Sequence, residues 1–322
     1  MRFSELAPSG ASALGLALPP VCGLCGLGIA ERYVVALGRN WHSQHFLCGG
    51  CKTPIDGGFV ERDKIAYHRQ CHLGLFAPRC FYCGVPLEGR YGLDAWGANF
   101  CPSHAENLPH CMFCYRLVDG SKITGHAAEA GVQCGICSAT AIQTAEDAAP
   151  IYDLVLAWGI GRNLVFPPVP LHLVDWKTLM ADSAESNGHR ALGTTRVTKT
   201  VCEGVTVKVD IQCITILHGL PRVLFGAVAA HEAGHAWLRA SGIDGLSPLE
   251  EEGFCELLGF TWLREESSPE SDFYAERIAR NEDAVYGGGF RHVHDLSGVY
   301  GVAGVIDHLR MTQRLPQMKA PI

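Results

Sequence analysis

The sequence has no long uncharged apolar run. Its longest hydrophobic stretches are interrupted by Arg222, His231, Glu232 and His235, so no segment reads as a membrane-spanning helix. Residues 1–20 lack the basic start and small-residue cleavage site of a secretory leader, which places the expected compartment in the cytoplasm. Basic charge is short as well: 26 Lys and Arg stand against 33 Asp and Glu, a formal net charge of −7. Duplex nucleic acid, which is bound through a basic surface, is therefore not an expected partner. A disulfide scaffold is also disfavoured. Of 15 cysteines, twelve fall before residue 138 in closely spaced pairs interleaved with histidine, which is metal spacing. Twelve thiolates around four divalent ions would leave the charge balance more negative still.

What is present centres on residues 221–256, PRVLFGAVAAHEAGHAWLRASGIDGLSPLEEEGFCE. On a helix begun by Pro221 and closed by Gly242, His231 and His235 are four residues apart and share one face, where two imidazoles can hold a zinc ion. Glu232 is then placed to polarise a water on that metal. Two histidines leave zinc under-coordinated, so a third protein ligand is required. Ser247, Pro248 and Glu250 read as an N-cap, a first-turn proline and a capping-box acid, predicting a second helix from there to about Leu263. The Glu-Gly-aromatic run Glu252-Gly253-Phe254 resembles that of the gluzincin group of zinc peptidases, and the resemblance implies Glu252 as the third ligand. Glu256, one turn on, is expected to orient a ligand histidine through its free ring nitrogen.

The cysteines sort into tetrahedral sets. Cys22, Cys25, His42 and His45 make the first, and Cys48, Cys51, His68 and Cys71 the second, with two residues between them. That double-zinc spacing is the pattern of a LIM domain, whose small core would use Trp41, Phe46, Leu47, Leu75 and Phe76. A second, LIM-like copy follows with Cys80, Cys83, Cys101 and His104, then Cys111, Cys114, Cys134 and Cys137, its halves six residues apart. His72, His110 and His126 are left over and expected on the surface. Such closed four-ligand sites are structural staples for segments too small to fold alone.

The remaining chain gives coarser signals. Residues 1–20 read as a flexible lead-in, residues 21–77 as the LIM domain, 78–138 as the LIM-like module and 139–322 as a second domain, with a boundary near residue 140. Residues 181–193 read as a loop. Val205, Val207, Val209 and Ile211 alternate with polar residues as in a half-buried strand, with Thr195–Val201 as its hairpin partner and Glu203-Gly204 in the turn. In a zincin-type fold Gln212–Leu217 would be the strand that pairs with extended substrate. Cys202, Cys213 and Cys255 read as core residues. Asp272–Val285 and Tyr300–Met311 are predicted helices. The glycine-rich run from Tyr286 to His294 lies between them as a turn, offering Tyr286, His292 or His294 as donors to an oxyanion.

The order of two LIM or LIM-like modules followed by HEAGHAWLRA, EEGFCELL, VYGGGFR and IDHLRMTQRLP resembles the plant DA-one family of ubiquitin-activated LIM peptidases, from about Cys22 to Pro316. The resemblance implies an α+β chain: tandem LIM zinc ribbons ahead of a zincin-like, gluzincin-type peptidase domain, with one catalytic and four structural zinc ions. It implies an endopeptidase acting on selected protein substrates, with ubiquitin or ubiquitylated proteins as regulatory partners. Plant members carry ubiquitin-interacting helices ahead of the first LIM domain, whereas 21 residues precede Cys22 here, as expected of a compact relative. The competing reading is a non-catalytic LIM adaptor whose second domain only binds.

Overall fold

A computed structural model describes residues 2–3, 5–7, 19–120, 131–182, 191–202 and 205–318. The chain divides into two compact units, Met1–Leu108 and Pro109–Ile322, each with its own interior.

The first unit is built on short strands held at metal-ligand corners. Strands β1 (Arg2–Phe3), β2 (Glu5–Ala7), β3 (Tyr33–Ala36), β4 (Arg39–His42), β5 (Gly58–Arg62) and β6 (Ile65–Tyr67) form two three-stranded antiparallel sheets, ordered β2-β3-β4 and β1-β5-β6. The expected flexible lead-in therefore supplies an added strand to each sheet. Val34, Phe46, Ile55, Phe59, Ala66 and Tyr67 form the core, with Trp41 at its margin. Trp41 donates its indole N–H to the Ala36 carbonyl at 2.9 Å. Leu47 and Leu75, expected in this core, are exposed. Helix α1 (Arg69–Phe76) brings Phe76 and His72 onto the Tyr67 ring, so His72 is half-buried among aromatics and not a surface residue. His110 is exposed, and His126 lies outside the described residues. Strands β7 (Gly92–Leu93) and β8 (Asn99–Phe100) and helix α2 (Pro102–Asn107) complete the unit around the third cysteine set.

The second unit is mixed α/β and starts before the boundary expected near residue 140: Cys111, Cys114, Cys134 and Cys137 belong to it. Helix α3 (Gly135–Ala139) leaves that set, and α4 (Ala145–Ile160) follows, begun by a reciprocal capping box between Thr144 and Asp147. The segment ATAIQTAEDAAP, residues 139–150 at that expected boundary, thus contains a helix start. Strand β9 (Leu171–Val174) and helix α5 (Trp176–Asp182) precede the hairpin of β10 (Gly193–Cys202) and β11 (Val205–Leu217). The turn at 203–204, and the part of the expected loop from 183 to 190, lie outside the described residues.

The sheet order is β10-β11-β9, with β10 antiparallel and β9 parallel to β11. Ile214–Leu217, four residues of the expected Gln212–Leu217 span, are consequently the middle of the sheet. Ile214 pairs with Thr195 on one side and Leu171 on the other, so β11 has no free edge for a substrate there. Ile214 and Ile216 are fully buried beneath α6 (Arg222–Ala240). Helix α7 (Pro248–Glu266) crosses α6 at small residues: a Cβ at Gly234 would meet the Leu258 side chain at 2.9 Å, and one at Gly259 the Ala227 carbonyl at 3.0 Å.

Helices α8 (Pro269–Ala279) and α9 (Tyr286–Thr312) finish the unit. The glycine run expected as a turn is instead the first turn of α9, which runs on through a break at Gly301 (φ 72°). The physical reason is contact. A Cβ on Gly253 of α7 would lie 2.3 Å from the Gly289 backbone, and one on Gly289 would lie 2.2 Å from the Leu249 carbonyl. Only glycine lets the two helix backbones approach this closely. No helix among the described residues is long and apolar enough to cross a membrane.

Candidate metal centre and its surroundings

Small residues on α6 let it sink into the unit, and the same burial fixes its polar face. His231 and His235 lie one turn apart, their Nε2 atoms 3.2 Å from each other. Helix α7 begins with Ser247 accepting from the Glu250 N–H while the Glu250 carboxylate accepts from the Ser247 N–H, with Pro248 in the first turn. Glu250 is thereby spent on the cap. Two residues on, the helix rotation turns Glu252 toward the histidines. Its Oε2 is buried, receives no hydrogen bond, and lies 3.4 Å from His231 Nε2 and 3.5 Å from His235 Nε2. Three lone-pair donors converge on one point. Ligands bound ~2.0–2.1 Å from a tetrahedral zinc stand about 3.3–3.4 Å apart, so these separations fit the ion.

Electrostatics agree with a cation at this point. Burial works against ionised Glu252, yet contact with His231 and His235 holds its carboxyl far below the usual range. Burial likewise opposes charge on His231, but Glu252 and Glu256 raise its pKa; for His235 the neighbouring Cys255, Glu251 and Glu252 raise it well above the ordinary value. A single proton cannot satisfy both Nε2 atoms and the orphaned Oε2, whereas one divalent ion can.

The ring orientation is set by a residue that sequence reasoning passed over. His235 Nδ1 lies 2.9 Å from Glu251 Oε1, and Glu251 in turn accepts from Arg239 Nη2 at 2.5 and 2.7 Å. This clamp directs the Nε2 lone pair of His235 inward. Glu256, expected in that part, is 3.9 Å from His231 Nδ1, outside hydrogen-bond reach, and burial raises its carboxyl pKa. The signal was the i, i+4 spacing of His235 and Arg239, which places an arginine one turn beyond a metal-type histidine. Glu251→Gln is expected to weaken zinc binding at this centre by about ten-fold or more, read by chelator competition. An affinity equal to wild type would remove Glu251 from that part.

Glu232 is buried on α6, facing the edge strand β10. The Thr195 hydroxyl lies 2.8 Å from Glu232 Oε2 and 2.9 Å from its carbonyl oxygen. Gly193 leaves the room: a Cβ there would be 2.9 Å from Glu232 Cγ and Oε1. Tyr286 opens α9, and burial, followed by the charge of Glu252, pushes its hydroxyl up to about 12. His292 is exposed, and His294 packs on Phe260 and Phe290 with ring centroids 5.4 and 5.2 Å away. Cys213 and Cys255 are buried as expected; the side chain of Cys202 lies outside the described residues.

The four Cys/His sets assemble as the spacing requires, all the ligand atoms of each within 4.8 Å of one another. Cys22 Sγ to His45 Nδ1 and Cys25 Sγ to His42 Nδ1 are 3.5 Å, Cys51 Sγ to His68 Nδ1 is 3.3 Å, and Cys114 to Cys134 is 3.6 Å. A zinc tetrahedron with bonds of ~2.0–2.3 Å has edges of about 3.5 Å for S to N and 3.8 Å for S to S. Burial would raise the Cys22 thiol, but backbone N–H groups of Cys25, His42 and Leu24 outweigh it and bring the pKa to about 5, the thiolate a metal needs.

Comparison with known proteins gives two family matches. Residues 22–76 match the LIM domain, and residues 184–272 match the DA1-like family (Protein DA1), a span that includes His231, Glu232, His235 and Glu252. The chain is 26% identical to the LIM domain-containing protein HDR3 of Oryza sativa subsp. japonica, with 92% of this chain and 74% of that protein covered. It is 27% identical to Protein DA1 of Arabidopsis thaliana, over 92% of this chain and 68% of that protein. A shorter likeness, 35% over 37% of this chain and 20% of the other, joins it to the LIM domain-containing protein B of Dictyostelium discoideum. The chain is thus a homologue of the DA1 and DA1-related proteins, with a LIM domain in its first unit and a DA1-like domain in its second.

Proposed function

We propose that the second unit is a zinc-dependent endopeptidase of zincin-like, gluzincin type, and that the LIM modules dock its protein substrates or hold it in a regulated state. The observation that carries this is the convergence of two imidazole nitrogens and an orphaned buried carboxylate oxygen at tetrahedral spacing, with a second buried carboxylate, Glu232, beside them. A centre held by three protein groups keeps a position open, unlike the four closed sets. Zinc at His231, His235 and Glu252 would supply a Lewis acid for a water and for the scissile carbonyl. Glu232 takes the proton of the attacking water and returns it to the leaving amine. Thr195 fixes the Glu232 carboxylate in place, and the Tyr286 hydroxyl donates to the oxygen that gains charge. Glu251 and Arg239 keep His235 oriented. Protein substrates are the proposed partners, and ubiquitin or ubiquitylated proteins the proposed regulatory partners, in the cytoplasm.

Metal analysis tests the ligand assignment. Pure protein is expected to hold five zinc ions, and brief chelation should remove the open-site ion before the four closed ones, whose binding is coupled to folding. Candidate proteins incubated with loaded and briefly chelated enzyme should be cut only by the first, with activity restored by added zinc. A ratio of four, with partners bound through residues 22–137 and nothing cut, is the result that favours the adaptor.

A further inference from the structure

The four-cysteine set differs from the other three. Cys111, Cys114, Cys134 and Cys137 are all buried, whereas Cys25, Cys51 and Cys83 of the other sets are exposed. It is also bonded to the start of the helix that carries His231 and Glu232. Gly219, at φ 82°, joins β11 to Pro221 and α6. Its carbonyl accepts from the side-chain amide of Gln133, the residue before Cys134, at 2.9 Å. Its N–H donates to the Ile142 carbonyl at 2.6 Å, while the Ile142 N–H donates to Leu220 and the Arg222 N–H to Thr140, both at 2.9 Å. Residues 133–142, leaving the metal set, are therefore laced onto the three residues that launch α6.

The set is fastened from a second side. Between Cys111 and Cys114, the Phe113 carbonyl accepts from Arg277 of α8 at 3.0 Å, and the Arg277 guanidinium lies 4.5 Å from the centre of the Tyr115 ring. Helix α8 packs on α7, the helix of Glu252, and on α6. The cysteine set thus touches, by separate routes, the supports of both helices whose side chains meet at the candidate catalytic centre. Gln133 is 3% exposed, so its amide cannot turn to water, and the Gly219 carbonyl loses its partner if the set collapses.

We infer that the metal held by Cys111, Cys114, Cys134 and Cys137 serves the second unit, keeping α6 and α7 in register through Gln133 and Arg277, so that metal binding at this set and at His231, His235 and Glu252 is positively coupled though no ligand is shared. Gln133 and Arg277 are positioning residues. The inference rests on the ligand assignment above and not on peptidase activity. Coupling between sites is typically 5–150-fold in affinity and is reciprocal.

The test uses the full chain as wild type, Cys111→Ala/Cys114→Ala, Gln133→Leu and, as a control in the first unit, Cys22→Ala/Cys25→Ala. Cobalt substitution separates the sulfur-ligated sets from the nitrogen- and oxygen-ligated centre by their absorption, and titration of the latter gives its affinity. The first two variants are expected to bind cobalt at that centre at least about five-fold more weakly, with faster amide exchange over residues 222–235. The control should match wild type. Gln133→Leu keeps every cysteine and decides the matter alone if the double variant is insoluble. Wild-type affinity in Gln133→Leu, or equal weakening in the control, would overturn the inference. A chain that shows coupling yet cuts nothing would sink the peptidase reading and leave this one standing.

Discussion

Glu232→Gln is expected to keep five zinc ions, the fold and partner binding while losing about a hundred-fold or more in turnover. General acid–base groups contribute roughly 10²–10⁴-fold, and glutamine retains the shape of glutamate without its proton affinity. The substitution is conservative where the residue sits: the Thr195 hydroxyl can donate to the amide oxygen as it does to Oε2, and Gly193 still leaves space. His231→Ala and Glu252→Ala should behave differently, losing the open-site metal along with activity. A Glu232→Gln protein that cuts its substrate at the wild-type rate would sink the assigned mechanism, whatever its zinc content.

The second large effect concerns two glycines that differ in what surrounds them. Gly253→Ala places a methyl 2.3 Å from the backbone of Gly289, where no side chain can rotate away, so α7 must retreat from α9. Alanine in a helix gains about 1 kcal/mol over glycine, and forced overpacking costs about 1–3 kcal/mol or more. Against rigid backbone the cost prevails, and a net loss of about 2 kcal/mol is expected, with weaker zinc binding because Glu252 moves with its helix. Gly288→Ala is the contrast, since the nearest atom to its Cβ is the Asp283 carbonyl oxygen at 3.8 Å. That variant should gain up to about 1 kcal/mol. Thermal unfolding of the pair reads the difference, and equal melting temperatures would mean the α7–α9 contact is looser than described.

Local chemistry was legible in the sequence and long-range pairing was not. The Cys/His sets and the His231–His235 pair follow from spacing alone, and the Ser247-Pro248-Glu250 cap fixes the phase that turns Glu252 inward. The glycines of α9 misled because intrinsic propensity argues for a turn, and the need for close approach to α7 is invisible until both helices are placed. That β11 is central depends on β9, four residues from 171 to 174 that pair in parallel across about forty residues of sequence and carry no signal of their own. Contacts that tie the four-cysteine set to the second unit, such as Gln133 meeting Gly219, 86 residues away, carry no local signal either. Glu251 was hidden by its neighbours, since three adjacent acids look like one charge cluster at a helix start.

Those three acids bear on how the chain can vary. Successive residues of a helix point about 100° apart. Glu250 closes the cap, Glu251 holds His235 and Arg239, and Glu252 faces both histidines, each part set only by its count from Ser247. Insertions in the connection from Gly242 to Leu246 displace the cap and the three acids together and leave their phase intact. A single residue gained or lost between Ser247 and Glu252 turns every later acid through that angle, so the span of six residues is a ruler that tolerates substitution far better than a change of length.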